Sequence, residues 1–196
     1  MWEHEDPAPV GNHKGGADGA ADDPEQRARQ VCLRLLTLAP RTRAQLADAL
    51  RKRGIPDETA DEVLSRFEDV GLIDDAAFAR AWVESRHYGR GLAGRALSAE
   101  LKQRGVAADE IRAAIEEQLG PDAEVSAARR LVDRKLESTR RLPPEQRTRR
   151  LAGMLARKGY PAGLAFRVIR EALEAEGGLA FPEDEPPFDE ADPDTE

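Results

Sequence analysis

Three short stretches decide the fold of this chain: Leu50-Arg51-Lys52-Arg53-Gly54-Ile55, Leu101-Lys102-Gln103-Arg104-Gly105-Val106 and Leu155-Ala156-Arg157-Lys158-Gly159-Tyr160. Each reads as the last turn of a helix. Basic side chains sit at the negative end of the helix dipole, and the glycine is free to take the left-handed conformation that closes a helix. The glycines lie 51 and 54 residues apart. Leu46, Leu97 and Leu151 stand eight positions before them, and Leu50, Leu101 and Leu155 four before. Val63-Leu64, Ala114-Ile115 and Val168-Ile169 follow nine and ten positions after. Positions that align in this way across three copies mark an internal repeat.

Working outward, each copy holds three helices. In the first, Ala28, Val31, Cys32, Leu35, Leu36 and Ala39 trace one helical face. A second helix opens on Thr42-Arg43-Ala44-Gln45, a capping-box pattern. A third shows Ala60, Val63, Leu64 and Phe67 and ends at Gly71. The second copy starts with Asp74 as N-cap and Ile73 and Phe78 at the hydrophobic-staple positions. Helices near 92–104 and 107–119 follow, then 122–138, 144–158 and 161–175 in the third copy. The expected fold is all-α: three tandem three-helix repeats, 24–71, 72–120 and 121–176, in an elongated array. A unit of about fifty residues buries little core alone, so neighbours must stack.

Composition agrees. Charged residues make up 35% and aromatics 5%, with 40% hydrophobic. No apolar run is long enough to cross a bilayer, the acidic start Met1-Trp2-Glu3-His4-Glu5-Asp6 lacks the apolar core of a secretory signal, and Cys32 is the single cysteine. The expected compartment is the cytoplasm. Net charge is −8, but it is segregated. Residues 1–25 carry −6, residues 176–196 carry −9, and the body between them carries +7. Within 129–170, thirteen Lys or Arg face three acids. Such a body suits an anionic partner. The tails, 1–23 and 177–196, are rich in Gly, Pro and acids without periodicity and are expected to be disordered. The C-terminal tail either keeps the chain soluble or competes with nucleic acid for the basic body.

Residues 71–106, GLIDDAAFARAWVESRHYGRGLAGRALSAELKQRGV, resemble the central signature of RecX regulatory proteins. Gly71-Leu72-Ile73-Asp74-Asp75, Phe78-Ala79 and Trp82-Val83 carry most of the likeness, followed by Arg86, the glycine-rich turn and the Arg104-Gly105-Val106 ending. The resemblance covers about 27–175. It implies a regulator that binds the RecA recombinase, alone or as a filament on DNA, and inhibits its ATP hydrolysis, strand exchange and co-protease activity. It implies no cofactor and no catalytic residue. The expected partners are RecA, its nucleoprotein filament and DNA itself, with no membrane contact and a monomeric chain.

Motifs that could carry chemistry are few. Gly89-Arg90-Gly91-Leu92-Ala93-Gly94 matches G-x-G-x-x-G formally, but it follows a helix and lacks a βαβ setting. It reads as a flexible connector. With Arg90 and Arg95 beside it, its amides offer a phosphate contact. His4, His13 and His87 form no metal set. Cys32 sits on an apolar stripe and reads as core, as does Trp82. Asp74 and Asp75 start a helix and read as caps.

The candidate interface is therefore basic. Arg86, Tyr88, Arg90 and Arg95 surround the turn of the second copy, with Tyr88 and His87 expected to be exposed. Arg129, Arg130, Arg134 and Lys135 lie on the first helix of the third copy. Arg140, Arg141, Arg147, Arg149, Arg150, Arg157 and Lys158 follow. Aromatic faces beside a basic track suit single-stranded nucleic acid. The alternative is a helix-turn-helix regulator that acts on DNA without a recombinase. Against it, the third helix of the first copy begins with Asp57, Glu58, Asp61 and Glu62, a poor face for a major groove.

Overall fold

The computed structural model describes residues 23–177. The expectations for 1–22 and 178–196 lie outside the described residues. Among those described, every element is a helix: α1 (Pro24–Leu38), α2 (Arg43–Arg51), α3 (Asp57–Asp69), α4 (Asp75–Arg90), α5 (Gly94–Gln103), α6 (Ala108–Gln118), α7 (Pro121–Thr139), α8 (Pro144–Arg157) and α9 (Ala162–Ala175). They form three successive triplets, α1–α3, α4–α6 and α7–α9, each packed around its own core.

Leu46 and Leu50 of α2, Leu97 and Leu101 of α5, and Leu151 and Leu155 of α8 are almost completely buried. The same i, i+4 pair thus anchors the middle helix of each triplet. Each such leucine contributes roughly 1.5–3 kcal/mol of burial. Val63, Leu64 and Phe67 complete the first core, Val83, Ile111 and Ala114 the second, and Val168, Ile169 and Leu173 the third. Cys32 belongs to the first core, as expected, and burial pushes its thiol up to about 11.

Local signals act where the sequence placed them. Thr42 accepts from the Gln45 amide at 3.2 Å while the Gln45 side chain accepts from the Thr42 amide at 3.3 Å, closing the capping box. Asp74 Oδ1 accepts from the Ala77 amide at 2.7 Å. Gly54, Gly105 and Gly159 take φ of +72°, +80° and +86° after α2, α5 and α8.

The triplets are joined by a contact that recurs. The glycine turn of one triplet docks on the start of the middle helix of the triplet before it. Thr42 Oγ1 donates to the Arg104 carbonyl at 2.6 Å, and the Ala93 amide donates to the Lys158 carbonyl at 2.9 Å. Arg104 and Lys158 are the equivalent C-caps of α5 and α8, and Thr42 and Ala93 the equivalent N-caps of α2 and α5. The fit is close. A Cβ on Gly105 would lie 2.2 Å from Ala44 Cβ, and one on Gly159 would lie 2.6 Å from the Ala96 nitrogen. A side bond reinforces each seam: the Arg43 amide donates to Asp75 Oδ1 at 2.9 Å, and Tyr160 Oη donates to the Gly91 carbonyl at 3.1 Å.

Candidate functional site

The basic residues singled out in the sequence fall into two groups. One group is committed to holding the chain together. Arg147 is mostly buried, with Nε donating to Thr139 Oγ1 at 3.1 Å and a second nitrogen donating to the Leu136 carbonyl at 3.3 Å; it also pairs with Glu176. Arg129 pairs with Glu171, and Arg140 lies 3.5 Å from Glu137 and 4.0 Å from Glu176. Arg86 lies 4.1 Å over the Trp82 ring, with Glu100 at 3.9 Å.

The other group has no carboxylate within 4.0 Å among the described residues: Arg90 and Arg95 around the start of α5, Arg130, Arg134 and Lys135 on α7, Arg141 before α8, and Arg149, Arg150, Arg157 and Lys158 on or after α8. Arg90, Arg134 and Lys158 come together across the second seam. Lys158 Nζ donates to the Arg90 carbonyl at 2.5 Å. Burial, then the charges of Arg134 and Arg90, hold its ammonium below the usual lysine range. Cations gathered without a carboxylate make a site for an anion.

Beside them α4 and α7 line an open cleft of about 300 Å³, bounded by His87, Tyr88, Gly91, Ala127, Arg130, Asp133 and Arg134. Tyr88 is 66% exposed, as expected, but His87 is 1% exposed and its expected exposure is corrected. His87 lies on the inner face of α4 with Ala79 and Val83. Its Nδ1 is 2.9 Å from the Leu92 carbonyl, which can only accept, so Nδ1 carries the proton. Nε2 is buried and has no hydrogen-bond partner.

The glycine-rich stretch is also corrected. Gly89 lies inside α4, Gly91 ends it with φ +64°, and Gly94 begins α5. The Ala93 and Gly94 amides, offered by the sequence to a phosphate, are already taken. The Lys158 carbonyl accepts the first, and Glu124 Oε1 accepts the second at 2.7 Å. The anion at this helix start is a carboxylate from the chain's own third triplet.

Trp82 is half-buried rather than fully inside: Arg86 covers it, Arg104 lies 3.7 Å from its centroid, Phe78 stacks on it at 5.7 Å, and Nε1 donates to Glu100 at 2.8 Å. The role of Arg104 had no signal in the sequence, because α4 and α5 must pack before the two residues meet. The first seam is opposite in charge. A cavity of about 580 Å³ there is lined by Glu68, Asp74, Asp75 and Glu110 together with Arg43. Among the described residues no group of His, Cys, Asp and Glu is placed to hold a metal ion.

Three family profiles match in tandem: RecX, first three-helix domain, over residues 28–67; second three-helix domain, over 74–115; and third three-helix domain, over 122–169. The Regulatory protein RecX of Thermobifida fusca is 62% identical over 162 residues, covering 83% of this chain and 87% of the relative. That of Streptomyces lividans is 64% identical over 155 residues, covering 79% and 82%. The crystal structure of RecX from Lactobacillus salivarius superposes with a TM-score of 0.70 at 18% identity, covering 76% of this chain and 96% of that one, which speaks for the fold. The chain belongs to the RecX family of regulatory proteins.

Proposed function

We propose that this chain binds the RecA recombinase, free or assembled on DNA, and lowers its ATPase, strand-exchange and co-protease activities. In the cell it would thereby regulate recombination, DNA repair and the SOS response from the cytoplasm. The observation that carries the reading is membership of the family along 28–169, with the signature at 71–106 intact. The unpaired cations of α7 and α8 supply a surface for DNA phosphates or for acidic patches of the recombinase. Three tandem triplets joined by recurring seam contacts are the kind of repeat array that suits an extended partner such as a filament. No reaction by the chain itself is required, and among the described residues no helix is long and apolar enough to cross a membrane.

The test is DNA-dependent ATP hydrolysis by the cognate recombinase with the full chain titrated in. Hydrolysis and strand exchange are expected to fall at or below stoichiometric addition. Unchanged rates across that range reject the inhibition.

The second reading, a DNA regulator that works without a recombinase, draws on the same basic surface. The starts of α3 and α6 oppose it, since Asp57 and Glu58, and Asp109 and Glu110, occupy their first turns. A footprint confined to one operator, with recombinase activity untouched, would decide for it.

A further inference from the structure

We propose that the cavity between α4 and α7 is a nucleotide site, in which Arg130 and Arg134 hold a phosphate and the Tyr88 ring receives the base. The inference rests on the nucleic-acid-contacting part of the function proposed above and narrows it to one pocket.

Three independent observations meet there. The first is space: about 300 Å³ stands open at the seam, at the small end of the range for ligand pockets. The second is charge. Among the described residues Arg130 has no carboxylate within 4.0 Å, and Arg134 uses only Nε, on the Arg130 carbonyl at 3.2 Å. Asp133 shares the lining yet pairs with neither. Arg90 and Lys158 add positive charge at the edge. A planar guanidinium is built for two-point contact with a phosphate. The third is an orphan. His87, only 1% exposed, lines the same cavity and leaves Nε2 without a partner. Buried nitrogens in native folds are nearly always satisfied, so an empty one calls for an occupant. With the proton on Nδ1, Nε2 is an acceptor and can take an N–H from a base.

Tyr88 supplies the remaining part. Among the described residues it is the aromatic one of the exposed large apolar side chains, and its ring meets the His87 ring edge-on at 5.3 Å. That edge contact leaves ring surface open to solvent for stacking. Stacking of a base on such a ring is worth about tenfold or more in affinity.

Two sources offer this chemistry, a single strand of DNA and a free nucleotide. The experiment therefore uses fluorescein-labelled oligo(dT) and, separately, dTMP, with the full chain and no recombinase. Arg130→Ala with Arg134→Ala is expected to weaken strand binding at least tenfold. It should also lower the salt slope by about 0.7 for each phosphate no longer neutralised. Tyr88→Ala should weaken binding about tenfold, while Tyr88→Phe, which keeps the ring, should not. Asp133→Asn should tighten it. His87→Asn keeps a donor where Nδ1 stands and His87→Gln a polar group where Nε2 stands. The melting temperature should follow the first variant and affinity the second. A strand carrying 5-iodouracil should photo-cross-link to Tyr88. Competition by dTMP through the same residues makes the mononucleotide the occupant and supports the pocket equally. If none of these variants shifts binding of either probe and no adduct forms on Tyr88, the pocket is wrong. Weaker binding with Arg149→Ala and Arg150→Ala in that case leaves the broader strand contact standing.

Discussion

Gly54, Gly105 and Gly159 occupy one position in three copies, yet the structure loads them differently. All three need positive φ, which costs an alanine about 1 kcal/mol. A Cβ on Gly54 meets nothing within 4 Å, whereas at Gly105 and Gly159 it would strike the preceding triplet. Gly54→Ala is therefore expected to cost about 1 kcal/mol, and Gly105→Ala and Gly159→Ala about 1–3 kcal/mol more, read from urea midpoints. Because Gly105 faces the Ala44 methyl, Ala44→Gly should restore part of the stability that Gly105→Ala removes, and strict additivity of the pair would reject the close seam. The helix-ending role of these glycines was legible from the basic last turn alone. Their second role was not, since the neighbour is some sixty residues away in the chain. Cys32 behaves as its stripe implied: with its thiol pushed up to about 11 and its side chain in the core, it should resist a disulfide reagent at pH 8 and react fully in urea. Prompt labelling of the native chain would contradict the packing.

Helices are the part that sequence reads best here, because a 3.6-residue period and a cap are both local. The start of α4 and the boundaries of α5 to α9 fall close to those expected for that reason, while α4 runs on through Gly89 to Arg90. Helix starts completed from elsewhere are less legible. Ala93 provides no side-chain cap for α5, and Glu124 of α7 supplies the acceptor instead. Glu124→Ala should lower stability by about 1 kcal/mol, whereas a surface glutamate would scarcely register. The start of α4 gives a second case. Asp75 reaches across to the Arg43 amide, and burial pushes its carboxyl above the ordinary range; Glu68 and Asp74 add to this, and Arg43 opposes it. The unfolded chain releases that proton near pH 4, and the folded chain holds it longer. Folding thus takes up a proton in the window just above pH 4, and Asp75 costs stability increasingly as pH rises through it. Asp75→Asn keeps an oxygen for the Arg43 amide and removes that cost. The variant should be the more stable at pH 7, with the gap closing as pH falls to 4. A gap independent of pH would show that charge is not the cause.

Over the whole molecule, charge is arranged by seam and by terminus. The first seam is lined by acids, the second by unpaired cations. Beyond the described residues, 178–196 adds eight acids and no base. The local excess of cations at 129–170 was visible in the sequence; which of them are free was not, because Arg129 and Arg147 find carboxylates only once α9 folds back on α7 and α8, and Arg140 then adds Glu176 to its local partner Glu137. Removing 178–196 takes the net charge from −8 to zero and leaves the cations in place. If the tail competes for them, the shortened chain should bind oligo(dT) several-fold more tightly at 0.05 M salt. The gain should shrink towards 0.5 M, since screening lengths fall from about 10 Å at 0.1 M to about 3 Å at 1 M. Charge reversal at Arg141, Arg149 and Arg150, which pair with no carboxylate among the described residues, should abolish the gain, because nothing is left for tail and strand to contest. A gain that survives both high salt and the reversal would mean that the tail acts by bulk rather than charge. No gain at any salt would make it a solubility tail.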